Sequence, residues 1–278
     1  MVLTETDRAA AVTAFRALHD GPGFVIPNPA DAGQARLLAT LGFQALATTS
    51  AGAAWSAAQA DGALGMAATL DNASAIVAAT PLPVSADLGD GFGRLPEAMA
   101  KTIRAAAEAG LVGGSIEDVI EGDGAPLADE GLAVARVAAA VEAARAVPGG
   151  FVLTARAEAH LFPGANLDAT IRRLRAFADA GADVLYAPGL PSLDAIRAVC
   201  TSVSKPVNVL LNPAIPGLSA AQVFAAGARR ISVGGLLARA ALGGFLRAAT
   251  ELRDAGTIGF AAETPPSARL NEIMRVSR

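Results

Sequence analysis

Three short stretches of this chain place ionisable side chains at the point where an apolar run ends. They are Leu82-Pro-Val-Ser-Ala-Asp87-Leu-Gly-Asp90-Gly-Phe-Gly93, Val112-Gly-Gly-Ser-Ile-Glu117-Asp118 and Phe151-Val-Leu-Thr-Ala-Arg156-Ala-Glu158. The apolar runs have the length of strands, and in a parallel α/β protein the carboxyl ends of all strands share the face where ligands bind. Acids ending two strands and an arginine ending a third would converge on one pocket. Oxygen donors there suit a hard divalent cation, and a guanidinium suits an anionic substrate. The pattern points to an enzyme.

Residue by residue, Asp87 closes an apolar run and is expected to face the mouth of that pocket, where it wants a cation. Asp90 sits in Leu-Gly-Asp-Gly, where an ordinary turn accounts for it equally well. Neighbouring strand residues face opposite ways, so alternation with Ser115 predicts Glu117 inward and Asp118 outward or capping a helix. Arg156 and Glu158 share a parity. A buried arginine is costly unless paired, so Arg156 either forms an ion pair with Glu158 or Glu117 or grips a carboxylate or phosphate with its fork. After the second strand, Thr49, Ser50, Ala51 and Gly52 are small enough to bring backbone N–H groups against an anion. Asp61 lies further along that loop and could add an acid. His19, in the leading helix, is expected at the surface. His160 follows Arg156 in a loop near the mouth, either solvated or catalytic. Tyr186 ends the sixth strand and Asn212 the seventh, both placed to meet a ligand.

The elements that must position these groups follow one repeated pattern, an amphipathic helix, a glycine and a short apolar strand. It appears around Gly42, Gly110, Gly181 and Gly227, each expected as the residue after a helix that turns the chain with positive φ. Strands are predicted near 23–27, 44–48, 83–87, 112–117, 151–156, 183–187, 206–211 and 230–234. Helices are predicted near 31–41, 63–79, 95–109, 129–147, 167–180, 191–200, 219–226 and 235–255, with a leading helix near 5–19 capping the bottom. Eight βα units without a linker predict an α/β protein, one (β/α)8 TIM barrel over residues 1–278, its last residues from 257 being a tail.

Composition narrows the partners. A net charge of −4 without a basic block argues against nucleic acid, and no uninterrupted apolar run reaches the ~18 residues of a membrane span. The N-terminus lacks the basic-then-apolar order of a signal peptide, and Cys200 is the only cysteine, which together suggest a reducing cytoplasm. Lys101 and Lys205 are the only lysines, and both are expected to point away from the mouth. That disfavours Schiff-base chemistry in a sugar-phosphate aldolase, even though Gly234-Gly235 could bind phosphate.

In order, Ala45–Ser50, Ser85-Ala-Asp87 with Gly91-Phe-Gly93, Gly113–Asp118, Thr154–Ala159, Val207–Leu210 with Pro216–Ser219, and Arg229–Gly235 resemble the isocitrate lyase/phosphoenolpyruvate mutase superfamily from about residue 20 to 255. The resemblance implies a barrel that exchanges its eighth helix with a neighbour in a homodimer or homotetramer. It implies Mg2+ (Mn2+ in its place is possible) and a small carboxylate substrate, cleaved or rearranged beside its carboxylate through an enolate-like pyruvyl species on the metal. By position, Asp87 and Glu117 would hold the Mg2+ shell with Asp61 through water and Asp90 in reserve; Ser50, Ala51 and Gly52 would bind the carboxylate and Arg156 would clamp it. Two departures stand out. Ser85 replaces the first acid of the family's Asp-x-Asp, and Val119–Leu127 lacks both the lyase Lys-Lys-Cys-Gly-His and the lysine of the phosphonomutase gating loop. The expectation is a Mg2+-dependent lyase or decarboxylase of a small 2-oxo or 2-hydroxy carboxylate, oxaloacetate-like, with proton return from solvent, Tyr186 or His160. Phosphonopyruvate-type P–C chemistry and a barrel that has lost catalysis are the alternatives.

Overall fold

The computed structural model describes residues 4–120 and 127–275. Helix α1 (Glu5–Asp20) precedes β1 (Phe24–Ile26), α2 (Ala32–Ala39), β2 (Leu46–Ala47), α3 (Ser50–Ser56) and α4 (Met66–Ala79). Then come β3 (Val84–Asp87), α5 (Pro96–Glu108), β4 (Gly113–Glu117), α6 (Glu130–Ala146) and β5 (Val152–Arg156). They are followed by α7 (Leu167–Asp179), β6 (Val184–Tyr186), α8 (Leu193–Ser202), β7 (Val207–Leu210), α9 (Ala220–Ala225), β8 (Arg230–Ser232), α10 (Leu236–Ala255) and α11 (Ser267–Met274). Side chains that compete for backbone donors mark the helix starts. Asp31, Asp129, Asn166, Ser192 and Ser219 each accept from the N–H three residues on, an arrangement worth about 1 kcal/mol per cap. Gly42, Gly110, Gly181 and Gly227 all have positive φ, as the pattern predicted.

All strand pairs are parallel, in the order β1-β8-β7-β6-β5-β4-β3-β2. The seam between β1 and β2 is bridged by Ala47 N–H to Pro27 O (3.1 Å) and by Asn28 Nδ2 to Thr48 O (3.0 Å). Asn28 Oδ1 also accepts from the N–H groups of Val233 and Gly234, so one side chain laces the ends of three strands into a nearly closed (β/α)8 barrel. Outside the sheet, the strands and helices bury a continuous apolar layer that includes Ile76, Ile103, Leu153 and Leu174. Inside, Phe15, Phe24, Ile26, Val152 and Val184 plug the base, each burial of this kind stabilising by ~1.5–3 kcal/mol.

Helix α1 is that plug. Arg8, Val12, Phe15 and His19 fall on one stripe and are all buried. His19 is therefore not the surface residue expected. It is 5% exposed, set edge-on to Phe15 and Phe24 at 5.0 and 5.1 Å between ring centres. Two helices were not expected. Residues 50–56 form α3 rather than a loop, and the tail carries α11, which packs on α2 while Arg36 donates to Met274 O. No helix among the described residues is long and apolar enough to cross a membrane.

Candidate active site

Register explains how the site is assembled. Glu117 lies opposite Arg156, Arg156 opposite Tyr186, Tyr186 opposite Asn208, Asn208 opposite Arg230, and Arg230 opposite Phe24. Because barrel strands tilt against the axis, a row of constant register spirals down the inner wall. This row runs from the mouth at Glu117 to the base, where Arg230 meets His19 of α1.

At the mouth Arg156 is ringed by acids. Its Nη1 donates to Asp87 Oδ1 (2.8 Å), its Nε to Glu158 Oε1 (2.8 Å), and its Nη2 faces Glu117 Oε1 (2.9 Å). The guanidinium carbon lies 4.9 Å from the centre of the Tyr186 ring, within the range of a cation–π contact. Glu117 points inward as alternation predicted. Asp118 points the other way, buried, accepting from Glu158 N–H (2.9 Å) and from Arg173 Nη1 (2.7 Å). Burial pushes the Glu117 carboxyl up to about 8, Arg156 pulling it down and Asp87 adding to the rise. Burial also raises Glu158, again against the pull of Arg156. Three acids around one arginine leave the mouth short of positive charge.

Two adjoining cavities share this ring. The inner one, about 230 Å3, is lined by Asn28, Thr49, Ser50, Asp87, Arg156 and Tyr186 among others, and it reaches down to Asn208, Arg230 and Ser232. The outer one, about 590 Å3, adds Asp90, Glu117 and Glu158 to Asp61, Asp87 and Ser50. Asp61 sits at the entrance and accepts from Ser50 Oγ (3.2 Å). Asp90 turns its Oδ1 to Phe92 N–H (2.8 Å), which is the turn role it was equally expected to fill. Arg136, fully buried in α6, fixes that turn by donating to the carbonyls of Asp90, Gly93 and Arg94.

Several expected contacts are placed otherwise. The small-residue segment is the first turn of α3: Ser50 N–H goes to Asp87 Oδ2 (3.3 Å) and Gly52 N–H to Thr49 Oγ1 (3.3 Å). Thr49, Ser50 and Ala51 line the inner cavity, but Gly52 lies behind it, packed so closely on Thr49 that an added Cβ would come within 2.6 Å. Asn212 is spent on a turn, its Oδ1 accepting from Ala214 N–H (2.9 Å), and it is not a lining residue. His160 lies in the short 3-10 turn Ala159–Leu161, lines neither cavity, and has a buried Nε2 without a partner among the described residues. Tyr186 does line the cavity, and burial pushes its hydroxyl up to about 12, so it stays protonated while sharing a hydrogen bond with Ser232. Sequence reading missed Asn28, Thr48, Asn208, Arg230 and Ser232. Parity offered a signal for the last three, since a polar side chain inside an apolar strand must face one side or the other of the sheet.

Part of the 119–130 segment lies outside the described residues. Its described ends pair Val119 with Leu127 in an antiparallel bridge. Neither Lys101 nor Lys205 lines the two cavities, whereas Gly234 and Gly235 line the inner one. Among the described residues no three of His, Cys, Asp and Glu form a ready-made metal cluster. That donor set still fits Mg2+, which takes one or two carboxylates and keeps its waters. Asp87 and Glu117 are the inward oxygen donors, with Asp61 facing the same space.

The phosphoenolpyruvate phosphomutase family model matches residues 15–253. The crystal structure of an inferred lyase/mutase from Burkholderia cenocepacia J2315 superposes with a TM-score of 0.95 at 53% identity, covering 98% of each chain. Oxaloacetate acetylhydrolase in complex with its product oxalate superposes with a TM-score of 0.86 at 28% identity, over 96% of this chain and 94% of that one. Phosphonopyruvate hydrolase, solved with oxalate and Mg2+, gives 0.85 at 26%, over 95% and 94%. These proteins are named as lyases, mutases and hydrolases, which supports an enzyme. The match over most of its length, together with this barrel, means that the chain belongs to the phosphoenolpyruvate mutase family of the isocitrate lyase/phosphoenolpyruvate mutase superfamily.

Proposed function

We propose that the chain is a Mg2+-dependent lyase or decarboxylase acting on a small 2-oxo or 2-hydroxy carboxylate of the oxaloacetate type. The observation that carries this reading is the ring of Asp87, Glu117 and Glu158 around Arg156 at the barrel mouth. A bound Mg2+, or Mn2+ in its place, would polarise the 2-oxo group and offset the negative charge that develops there. Asp87 and Glu117 would hold it, with Asp61 through water. Once a cation draws those carboxylates away, the Arg156 fork is free to accept a substrate carboxylate in bidentate fashion. Breaking the C3–C4 bond of such an acid would release CO2 and send the electron pair through C3 to the 2-oxo oxygen, where the metal charge and the Arg156 guanidinium would offset it. Tyr186, protonated and on the cavity wall, would return the proton to carbon. His160 would not, because it lines neither cavity.

P–C bond chemistry on a phosphonate would use the same arginine and acids, and the likeness to phosphonopyruvate hydrolase keeps it as the second reading. Release of inorganic phosphate from a phosphonate panel separates the two. A barrel without catalysis gains nothing from a registered acid ring that is expensive to keep buried.

Titration calorimetry with oxalate, with and without Mg2+, tests the main reading. Binding that requires Mg2+ and is abolished in Asp87→Asn supports it; equal binding in that variant overturns it. We also propose that α10 is exchanged with another copy. It leaves Leu242, Phe245 and Leu246 exposed, with Phe245 at 70%, and its contacts within the chain are thin. Sedimentation of Phe245→Glu should show a smaller species than the parent; a monomeric parent rules the exchange out.

A further inference from the structure

Arg230 is 5% exposed and sits at the floor of the inner cavity, yet among the described residues no carboxylate pairs with it. Its Nε donates to Asn208 Oδ1 (2.8 Å), its Nη2 to Thr154 Oγ1 (2.9 Å), and its Nη1 lies 3.4 Å from His19 Nε2. All three partners are neutral. His19 Nδ1 is 2.9 Å from Phe15 O, which fixes the proton on Nδ1 and leaves Nε2 as an acceptor. Burial and the neighbouring Arg230 charge hold the imidazole at about 3, so it does not ionise near neutral pH. Burial draws Arg230 itself down to about 10, which still leaves it charged.

A guanidinium has five N–H donors, and three of these are used. One N–H on each terminal nitrogen remains, and the two terminal nitrogens form the end-on fork that grips a carboxylate or phosphonate. A buried charge without a counter-charge costs several kcal/mol, and an anion in the cavity would offset that cost. Asn208 donates one amide N–H to Ser232 Oγ (3.0 Å) and keeps the other for that anion, and one hydroxyl of the bonded Tyr186–Ser232 pair can donate as well. Polarity along the registered row runs one way, from acids at the mouth to an unneutralised cation at the base. A monoacid bound at the mouth would leave the base unsatisfied.

We propose that Arg230 is an inner anion anchor, which takes the second anionic group, a carboxylate or a phosphonate, of a dianionic substrate whose 2-oxo acid end lies beside Arg156. This rests on the proposed function for the outer end only; the inner site is argued from Arg230 and its partners.

The test compares a short and two longer dianions in the presence of Mg2+: oxalate, 3,3-difluorooxaloacetate and phosphonopyruvate. In Arg230→Gln, oxalate affinity should stay within about twofold of the parent, while at least one longer dianion should weaken by about 30- to 100-fold, with partial recovery in Arg230→Lys. Which of the two longer acids loses more tells carboxylate from phosphonate. A second readout needs no variant. His19 and His160 are the only histidines, so imidazole 15N shifts of the parent can follow each. The His19 signal should move with the longer dianions and stay with oxalate. Unchanged affinity for both longer dianions in Arg230→Gln, or equal loss of all three ligands, overturns the proposal, as does a His19 signal that no dianion moves. A parent that ignores oxalate but shifts His19 with phosphonopyruvate or inorganic phosphate sinks the proposed function and leaves the anchor standing.

Discussion

Arg156 and Arg230 enter the barrel on one registered row, three strands apart, and their surroundings are opposite. Arg156 touches Asp87, Glu117 and Glu158, and those acids raise its pKa further despite its burial. Arg230 touches an amide, a hydroxyl and a neutral imidazole, and burial lowers it. The row descends with strand tilt, so the two ends of one stripe face different chemistry: incoming loops with acids at the mouth, and the apolar plug of α1 at the base. Burial of an arginine therefore says little by itself. The partners decide whether it is already neutralised or still available to an anion.

The largest effect should come from breaking the paired end. Arg156→Met leaves three acids facing one another and should cost about 3–5 kcal/mol at pH 8, read from urea unfolding. The loss should shrink at pH 5. Glu117 sits near 8 when folded, above its unfolded value of about 4.5, so the native state holds the extra proton and stability falls as pH rises between the two.

At the other end the sign reverses. His19 is held near 3 when folded, below its unfolded 6.5. Its contribution to stability is complete above 6.5 and is lost as pH falls toward 3. Parent protein should lose about 1.4 kcal/mol for each pH unit between 6 and 4 from this group, and His19→Gln should flatten that part of the stability profile.

Arg230→Met should cost less than half as much as Arg156→Met, about 1–2 kcal/mol. Orphaned acceptors on Asn208 and Thr154 are partly offset by relief of a buried charge. An equal loss in both variants would erase the distinction between the two arginines. Smallest of all, Asp61→Asn at the exposed rim should shift unfolding by no more than ~0.5 kcal/mol, while weakening Mg2+ in the same calorimetric titration that uses oxalate.

Much of this was legible beforehand for definite reasons. Helix–glycine–strand repeats gave the eight strands, and parity gave the inward direction of Glu117. The same parity turns Asn208 and Arg230 inward, but their depth in the barrel follows from strand tilt and register, which no local pattern encodes. Asn212 ends a predicted strand, yet a following Pro-Ala turn takes its side chain. The α3 segment looked like a loop because Ser50-Ala-Gly-Ala-Ala carries little amphipathic pattern, and α11 was missed because Pro265-Pro266 masked the eight residues after it.

The sequence by itself determined the period of the fold, the identity of the acids and the arginine at the strand ends, and the family to which they point. Those are local matters, set by alternation, capping and side-chain chemistry. Only the tertiary structure decided which charges are neutralised. Strand tilt and register bring residues 156 and 87, or 230 and 19, into contact across long stretches of chain, and the energy of a buried charge depends on those neighbours and not on its place in the sequence.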